Sequence, residues 1–173
     1  MALVTRSVTV VGLVLSAALA AAQEIPLEQR VKAAYLFNFT KFVEWPADAI
    51  AADSPLTICV AAPSPFGQTL DDTVRGELVN GHALATRVVR DPAGCHVLFV
   101  PGNVTSLPLL REARGKPILT VGESPDFLRD GGIVKFVMHE GKVKFEISPD
   151  AAARAHLRIS SRLLRLARPA ETR

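Results

Sequence analysis

Cys59 and Cys95 are the only thiols in the 173-residue chain, and they can oxidise to a disulfide or coordinate a soft metal ion. If the chain is exported, as its first residues indicate, an even pair of cysteines favours the disulfide. A metal site is the weaker alternative, because no histidine or further cysteine stands at ligand spacing beside either thiol. A disulfide requires Cα atoms only about 4.4–6.8 Å apart. The two strands that carry these cysteines should therefore lie side by side or nearly so.

The other side chains that could catalyse a reaction show no catalytic arrangement. The sequence lacks HExxH, GxSxG, P-loop and GxGxxG motifs, which would indicate zinc, serine-nucleophile, phosphate or dinucleotide chemistry. Asp71 and Asp72 are neighbours on a predicted helix and would point about 100° apart, so at most one faces any given site. The histidines are scattered along the chain, at His82, His96, His139 and His156. We predict a non-enzymatic protein with no cofactor and no metal; an enzyme would need a convergent pocket of titratable groups that the sequence does not display.

His96 directly follows Cys95 at the start of an apolar run. The favoured interpretation is a buried imidazole that is satisfied by backbone groups next to the disulfide. The alternative is a pH-sensitive latch, because histidine is the side chain whose ordinary pKa lies closest to neutral pH.

Segment 62–67 follows the first predicted strand and leads into a predicted helix. Ser64, Phe66 and Gly67 could present backbone amides to an anion there, since open α/β sheets bind ligands at the carboxyl ends of their strands. The same residues also suit ordinary helix capping, with Ser64 as the N-cap and Pro65 in the first turn. Helix capping is the favoured interpretation. Under the alternative, Ser64, Phe66 and Gly67 are the candidate ligand-binding residues.

Four arginines near the end of the chain recur at helical spacing: Arg154, Arg158, Arg162 and Arg165. If the predicted helix that starts at Ser148 is continuous, these arginines form one basic stripe, although residues 159–161 could break it. Such a stripe usually faces solvent. The alternative is a surface that receives an acidic partner, and the four arginines are therefore candidate partner-binding residues.

Residues 31–46 are the densest aromatic segment, and they predict an amphipathic helix ended by its final proline. Phe37 falls among the polar residues of this helix, where no core is predicted to cover it. Lys41 and Glu44 share that polar side. These three residues are candidate contacts for a partner protein, whereas Asn38, within the apolar arc, is expected to tie the helix to a neighbouring loop.

Apolar runs that alternate with helical segments predict an α/β fold. The runs at 56–62, 83–89, 95–100 and 118–121 have strand character, and helices are predicted between them. Two alternating runs, IVKFVM and KVKFEI, flank Glu140-Gly141 and predict a hairpin. The expected architecture is a three-layer α/β sandwich, whose mainly parallel sheet carries a C-terminal antiparallel hairpin and is flanked by helices.

Residues 1–22 predict a secretory signal peptide, with Arg6 as the only charge, an apolar run, and a small-residue cleavage site. The apolar run is short for a membrane span, so a retained anchor is the minor alternative. We expect one mature domain, residues 23–173, in the periplasm. Without Arg6, 19 Lys and Arg face 17 Asp and Glu, and the charges are interspersed, which argues against a nucleic-acid partner.

Five segments carry a family resemblance: NFTKFVEWP, CHVLFV, KPILTVGESPDFLRDGGIVKFV, KVKFEIS and LRISSRLLRLA. In this order and spacing they resemble the YfiR family of small periplasmic proteins, over nearly the whole expected mature chain. One departure is that some relatives carry a second cysteine pair, whereas this chain has only Cys59 and Cys95. Redox control through a second bridge is therefore not expected.

The resemblance implies a regulatory function. YfiR proteins inhibit an inner-membrane diguanylate cyclase by binding its periplasmic sensory part. Cyclic di-GMP and biofilm formation rise when an outer-membrane lipoprotein sequesters the inhibitor or when redox conditions change. We therefore expect a negative regulator that acts by protein contact on such a cyclase. The alternative is a periplasmic small-molecule-binding sensory module that works with a histidine kinase or a transport system, and whether two copies form a homodimer stays open.

Overall fold

A computed structural model describes residues 25–169, so the predicted signal peptide lies outside the described residues. Five helices occur in this range: α1 (Leu27–Phe42), α2 (Thr69–Val74), α3 (Ser106–Ala113), α4 (Pro149–Arg154) and α5 (Ser161–Leu166). Nine strands accompany them: β1 (Val43–Glu44), β2 (Leu56–Ala61), β3 (Leu78–Val79), β4 (His82–Val89), β5 (Val97–Val100), β6 (Leu119–Gly122), β7 (Val134–His139), β8 (Lys142–Ile147) and β9 (Arg158–Ile159). None of these helices has the length and apolar character that crossing a membrane requires.

Seven strands form one sheet in the order β3-β4-β2-β5-β6-β7-β8. The strands from β4 to β7 pair in parallel, and β3 and β8 add antiparallel partners at the two ends of this order. The predicted α/β sandwich with a mainly parallel sheet and a C-terminal hairpin is confirmed. Two features add to it: the short edge strand β3, and a separate antiparallel sheet formed by β1 and β9.

Helices cover the sheet on both faces, as the side chains of β5 show. Phe99 belongs to a core cluster that includes Phe39 of α1, whereas its neighbour Leu98 belongs to a second cluster that includes Leu110 of α3. Successive side chains of a strand point to opposite faces, so α1 and α3 lie on opposite sides of the sheet. Burial on both faces explains why β2 and β5 are apolar throughout.

Aromatic contacts hold α1 on the β7–β8 hairpin. Tyr35 and Phe39 each pack against both Phe136 and Phe145, with ring centroids 5.2 to 5.9 Å apart. Aromatic pairs at such distances contribute about 0.5–1.5 kcal/mol each beyond the burial of their area. The first helix of the described range is therefore fastened to strands that come late in the chain.

The hairpin between β7 and β8 turns at Glu140 and Gly141. Both residues have positive φ, 50° and 72°. A two-residue type I′ turn has positive φ at both central positions. Hairpins favour this turn because its twist matches the twist of the paired strands. The predicted reversal at this pair is confirmed.

α1 spans Leu27–Phe42 and not the predicted range 31–46. It ends at Phe42 because Val43 and Glu44 form β1 and pair with β9. The carbonyl oxygen of Phe42 also accepts a hydrogen bond from the backbone N–H of Ser160 at 2.9 Å. Tertiary pairing of this kind overrides local helical periodicity.

Two other helical segments are shorter than their predicted ranges. α2 begins at Thr69 and not at Ser64. The region after Ser148 is not one helix, since β9 separates α4 from α5, at the break that the sequence pattern leaves open. The Ser160 side chain accepts a hydrogen bond from the backbone N–H of Leu163 at 3.3 Å and so starts α5 as its N-cap.

Candidate functional site

Cys59 and Cys95 form a disulfide, with their Cα atoms 5.7 Å apart. Cys59 lies within β2, and Cys95 lies just before β5, which pairs in parallel with β2. The expected disulfide between adjacent strands is thus present. Both residues are buried in the core cluster on the α3 side, so the bond crosslinks the interior and is shielded from solvent.

His96 is satisfied by the backbone, as favoured from the sequence. Its Nδ1 accepts a hydrogen bond from the backbone N–H of Thr57 at 2.9 Å, and its Nε2 lies 3.2 Å from the carbonyl oxygen of Ala49. Burial lowers the pKa of His96, although the Ala49 contact opposes that shift and the nearby His82 adds to it. His82 Nδ1 lies 2.9 Å from the carbonyl oxygen of Ser54, so two imidazoles fasten the loop before β2. Across residues 25–169, no group of three or more His, Cys, Asp or Glu side chains is placed to hold a metal ion.

The candidate ligand residues of segment 62–67 lie at a turn that uses some of their polar groups itself. Phe66 is fully buried against Phe99, and its backbone N–H donates to Ser64 Oγ at 3.3 Å. Ser64 and Gly67 line a cavity of about 140 Å³ together with Asp71 and Arg87, whose side chains carry opposite charges. α2 begins only at Thr69, so Ser64 is not the N-cap of a helix. The backbone amide of Phe66 is therefore used within the turn and does not face a ligand.

Phe37 is not left without a partner, contrary to the sequence pattern. Its ring is half-buried and packs against the core cluster on the α1 side. The Nζ of Lys41 lies 3.8 Å from the ring centroid of Phe37. A cation–π contact at such a site contributes about 0.5–1 kcal/mol. The two residues form a single surface feature, an aromatic face covered by a cation.

The arginines expected in one stripe lie on three elements. Arg158 of β9 stands beside Glu44 of β1, with Nε and Oε2 3.6 Å apart. Arg162 and Arg165 are exposed on α5, which follows β9. Arg154 ends α4 and lines a separate groove. The continuous stripe is therefore wrong, because β9 interrupts the helix that it needs.

Three of these arginines still share a surface with the candidates from α1 and β1. We define the basic surface by its members: Lys41, Glu44, Arg158, Leu164, Leu166, Arg162 and Arg165. Leu164 and Leu166 are 36% and 66% exposed. The elements adjoin one another, since α1 contacts α5 and β1 pairs with β9. Exposed leucines among cations are suited to a partner that is both acidic and apolar.

A buried ion cluster, which the sequence pattern does not predict, joins α1 to the loops after β5 and β6. Lys32 is only 5% exposed, and its Nζ pairs with the carboxylates of Glu28 and Glu123. Glu123 Oε2 also accepts a hydrogen bond from the backbone N–H of Gly102 at 2.7 Å. Burial lowers the pKa of Lys32, but the hydrogen bonds to Glu123 and Glu28 outweigh burial, and the pKa is raised. The i,i+4 spacing of Glu28 and Lys32 is a sequence signal for their pair, whereas the approach of Glu123 depends on the fold.

A second ion pair lies nearby on the hairpin. Lys135 Nζ is 2.9 Å from Oε2 of Glu146, the residue opposite it in the β7–β8 register, and Glu146 is buried. Lys135 and the Lys32 cluster line a cavity of about 350 Å³, which the exposed Met138 also borders. Each charged group in this cavity has an opposite partner. The cluster therefore links α1 to the loops after β5 and β6 through charged groups.

A family model described as YfiR/HmsC-like matches residues 29–168. The matched span starts within α1 and ends after α5. It contains both sheets, the disulfide and the whole basic surface. No curated protein matches the chain.

Proposed function

The chain belongs to the YfiR/HmsC-like family, and from that premise we propose that it is a periplasmic regulator that inhibits a membrane-bound diguanylate cyclase by protein contact. The family match over residues 29–168 is the observation that carries the proposal. Inhibition lowers cyclic di-GMP and restrains biofilm formation. The direct partner of the regulator is the periplasmic sensory part of the cyclase. An outer-membrane lipoprotein that sequesters the regulator relieves the inhibition.

The basic surface is the part of the molecule that fits this contact best. Arg158, Arg162 and Arg165 provide three exposed guanidinium groups, and arginine is enriched among residues that dominate binding energy at interfaces. Leu164 and Leu166 provide apolar area beside them. The complementary partner surface is acidic with an apolar centre, so that charge guides the encounter and apolar burial holds the complex.

The internal polar groups support a binding protein more than a catalyst. The carboxylates around Lys32 are ion-paired, and the imidazole of His96 is held by two backbone groups. A general base must be within reach of a substrate proton and free to accept it. Groups committed to internal partners contribute to rigidity instead, and a rigid surface binds at lower entropic cost.

Deletion of the gene in its parent organism tests the proposal. We expect cyclic di-GMP and biofilm mass to rise, and complementation with the wild-type chain to restore both. Complementation with Arg162→Glu/Arg165→Glu should fail, because the reversed charges repel an acidic partner. Arg111→Glu on α3 is the matched control, since Arg111 is exposed but lies outside the basic surface.

Two results distinguish failure of the regulatory function from failure of the basic surface as its contact. Unchanged cyclic di-GMP in the deletion strain, across growth conditions, would overturn the regulatory function itself. Full complementation by Arg162→Glu/Arg165→Glu would leave the regulator in place but would remove the basic surface as its contact. Periplasmic levels of each variant, measured by immunoblot, distinguish lost contact from lost protein.

A further inference from the structure

A groove of about 580 Å³ lies between α3 and α4, and none of its lining residues belongs to the basic surface or to segment 62–67. Its floor consists of apolar residues that are at most 8% exposed: Leu110, Ala113, Ile118, Ile133, Ala151 and Ala155. The first three belong to the core cluster on the α3 side, and the last three belong to the cluster on the α1 side. The groove therefore opens onto the seam between the two clusters, where the small alanines leave room above the sheet.

The rim of the groove is strongly cationic. Arg114, Arg129 and Arg154 line it together with one carboxylate, that of Asp130. Arg129 pairs with Asp126 outside the groove at 2.6 Å. Within residues 25–169, Arg114 and Arg154 form no ion pair.

Helix ends account for part of this arrangement. Arg154 is the last residue of α4, and Arg114 is the C-cap of α3, where a cation complements the partial negative charge of the helix end. This effect explains each arginine by itself. It does not explain why both, with Arg129, border the same apolar floor.

The volume and lining of the groove indicate the class of molecule that would fit. Clefts of about 300–1,000 Å³ with an apolar lining and a few polar groups are typical of small-molecule sites. A guanidinium pairs two N–H groups with an anionic head group in a fixed geometry. We propose that the groove binds a small amphipathic organic anion, with its apolar body on the alanine-rich floor and its anionic head group at Arg114 and Arg154. This binding goes beyond inhibition of a cyclase and does not depend on it.

Two of the other cavities fit such a ligand less well. The cavity beside Ser64 has about a quarter of the volume, roughly 140 Å³, which is small for an organic molecule, and Asp71 lines it as well as Arg87. In the cavity of about 350 Å³ beside Lys32, the lysines already pair with carboxylates. The groove between α3 and α4 combines room, an apolar floor and unpaired cations.

A pair of fluorescent probes tests the proposal. 1-Anilinonaphthalene-8-sulfonate has an apolar body with an anionic head group, and N-phenyl-1-naphthylamine has the same body without the charge. We expect saturable binding of the sulfonate to the purified chain at one site. Arg114→Gln/Arg154→Gln should weaken sulfonate binding by about tenfold or more, because charge-assisted hydrogen bonds are lost, and should leave binding of the uncharged probe unchanged. Both arginines are exposed, so the variant should keep the wild-type fold.

Two further variants complete the experiment. Arg111→Gln removes an exposed arginine of α3 that does not line the groove, and it should bind both probes as the wild type does. Ala155→Leu fills the floor and should weaken binding of both probes. The proposal is overturned if the sulfonate shows no saturable binding, or if Arg114→Gln/Arg154→Gln binds it as tightly as the wild type. The proposal is also overturned if Arg111→Gln weakens sulfonate binding as much as Arg114→Gln/Arg154→Gln does. It fails likewise if the chain binds phosphatidylglycerol vesicles but not the soluble sulfonate.

Discussion

Glu44 and Arg158 face each other across the two-stranded β1–β9 sheet, with the carboxylate Oε2 3.6 Å from the guanidinium Nε. Their side chains are 69% and 85% exposed, so solvent screens the pair and its contribution to stability is at most about 1 kcal/mol. We predict that Arg158→Ala lowers the free energy of unfolding by less than about 1 kcal/mol, as measured by urea denaturation. Ile159→Ala, at the neighbouring half-buried position packed on the core, should cost more. Equal losses in the two variants would contradict the prediction.

Lys32→Met should destabilise the fold because it leaves the carboxylates of Glu28 and Glu123 without their cation. Breaking a fully buried ion pair costs about 3–5 kcal/mol, and the cost should be lower here because Glu28 is partly exposed. Lys41→Met is the matched control on the same helix, with an exposed lysine that loses only a cation–π contact. Urea denaturation of the two variants measures the difference. Similar stability of the two would mean that the buried cluster contributes little.

Reduction of the Cys59–Cys95 disulfide should lower stability without abolishing the fold. The bond closes a loop with a sequence separation of 36, and the chain-entropy relation gives roughly 4 kcal/mol for a loop of that size. Thermal unfolding of the Cys59→Ala/Cys95→Ala variant should show a lower Tm than the oxidised wild type. Adding dithiothreitol should lower the Tm of the wild type and leave that of the variant unchanged. A wild-type Tm that does not respond to complete reduction would contradict the prediction.

His96 should make stability depend on pH. Its pKa in the folded chain is lowered by burial, so below its ordinary value of 6.5 the unfolded chain binds more protons than the folded one. The contribution of His96 to stability is fully present above pH 6.5. Stability falls as the pH drops below 6.5 towards the pKa of His96 in the folded chain. Urea denaturation from about pH 8 to about pH 5 should show this loss, and His96→Gln should flatten it. A flat wild-type profile over this range would contradict the prediction.

Gly132→Ala should destabilise the fold because the ring of Phe127 lies against this glycine. A Cβ at position 132 would lie 2.2 Å from the ring and 2.7 Å from the carbonyl oxygen of Phe127. Overpacking of this kind typically costs about 1–3 kcal/mol. Equal Tm values for Gly132→Ala and the wild type would contradict the prediction.

The parts of the fold that follow from local pattern could be predicted from the sequence. The apolar run at 56–62 forms β2, and the Glu140-Gly141 pair turns the hairpin. α3, Ser106–Ala113, lies between the runs at 95–100 and 118–121, where a helix is predicted. The disulfide also follows from residue types, because the chain has a single pair of cysteines and its first residues predict export, which together favour a disulfide over a metal site. Each of these inferences needs only neighbouring residues or residue types.

The parts that depend on distant residues could not be predicted. β1 exists because Val43 pairs with Ile159, and the helix ends before it for the same reason. Phe37 looks exposed on a helical projection, yet its ring packs against the core because the angle at which a helix meets a sheet is set by tertiary packing. The groove between α3 and α4 requires Arg114 and Arg154 to border one floor, and nothing in their sequence spacing indicates that.

The aromatic contacts between α1 and the hairpin also affect the order of folding. Phe39 cannot meet Phe145 until β8 has been synthesised, so the larger core cluster closes only when most of the chain is available. Contacts between residues so far apart in sequence form slowly, because the intervening loop must close first. A polypeptide whose core cannot form until its late strands are made remains unfolded during synthesis. If this chain is exported by a pore that accepts only unfolded polypeptides, the position of its aromatic partners keeps it in a form that the pore can thread.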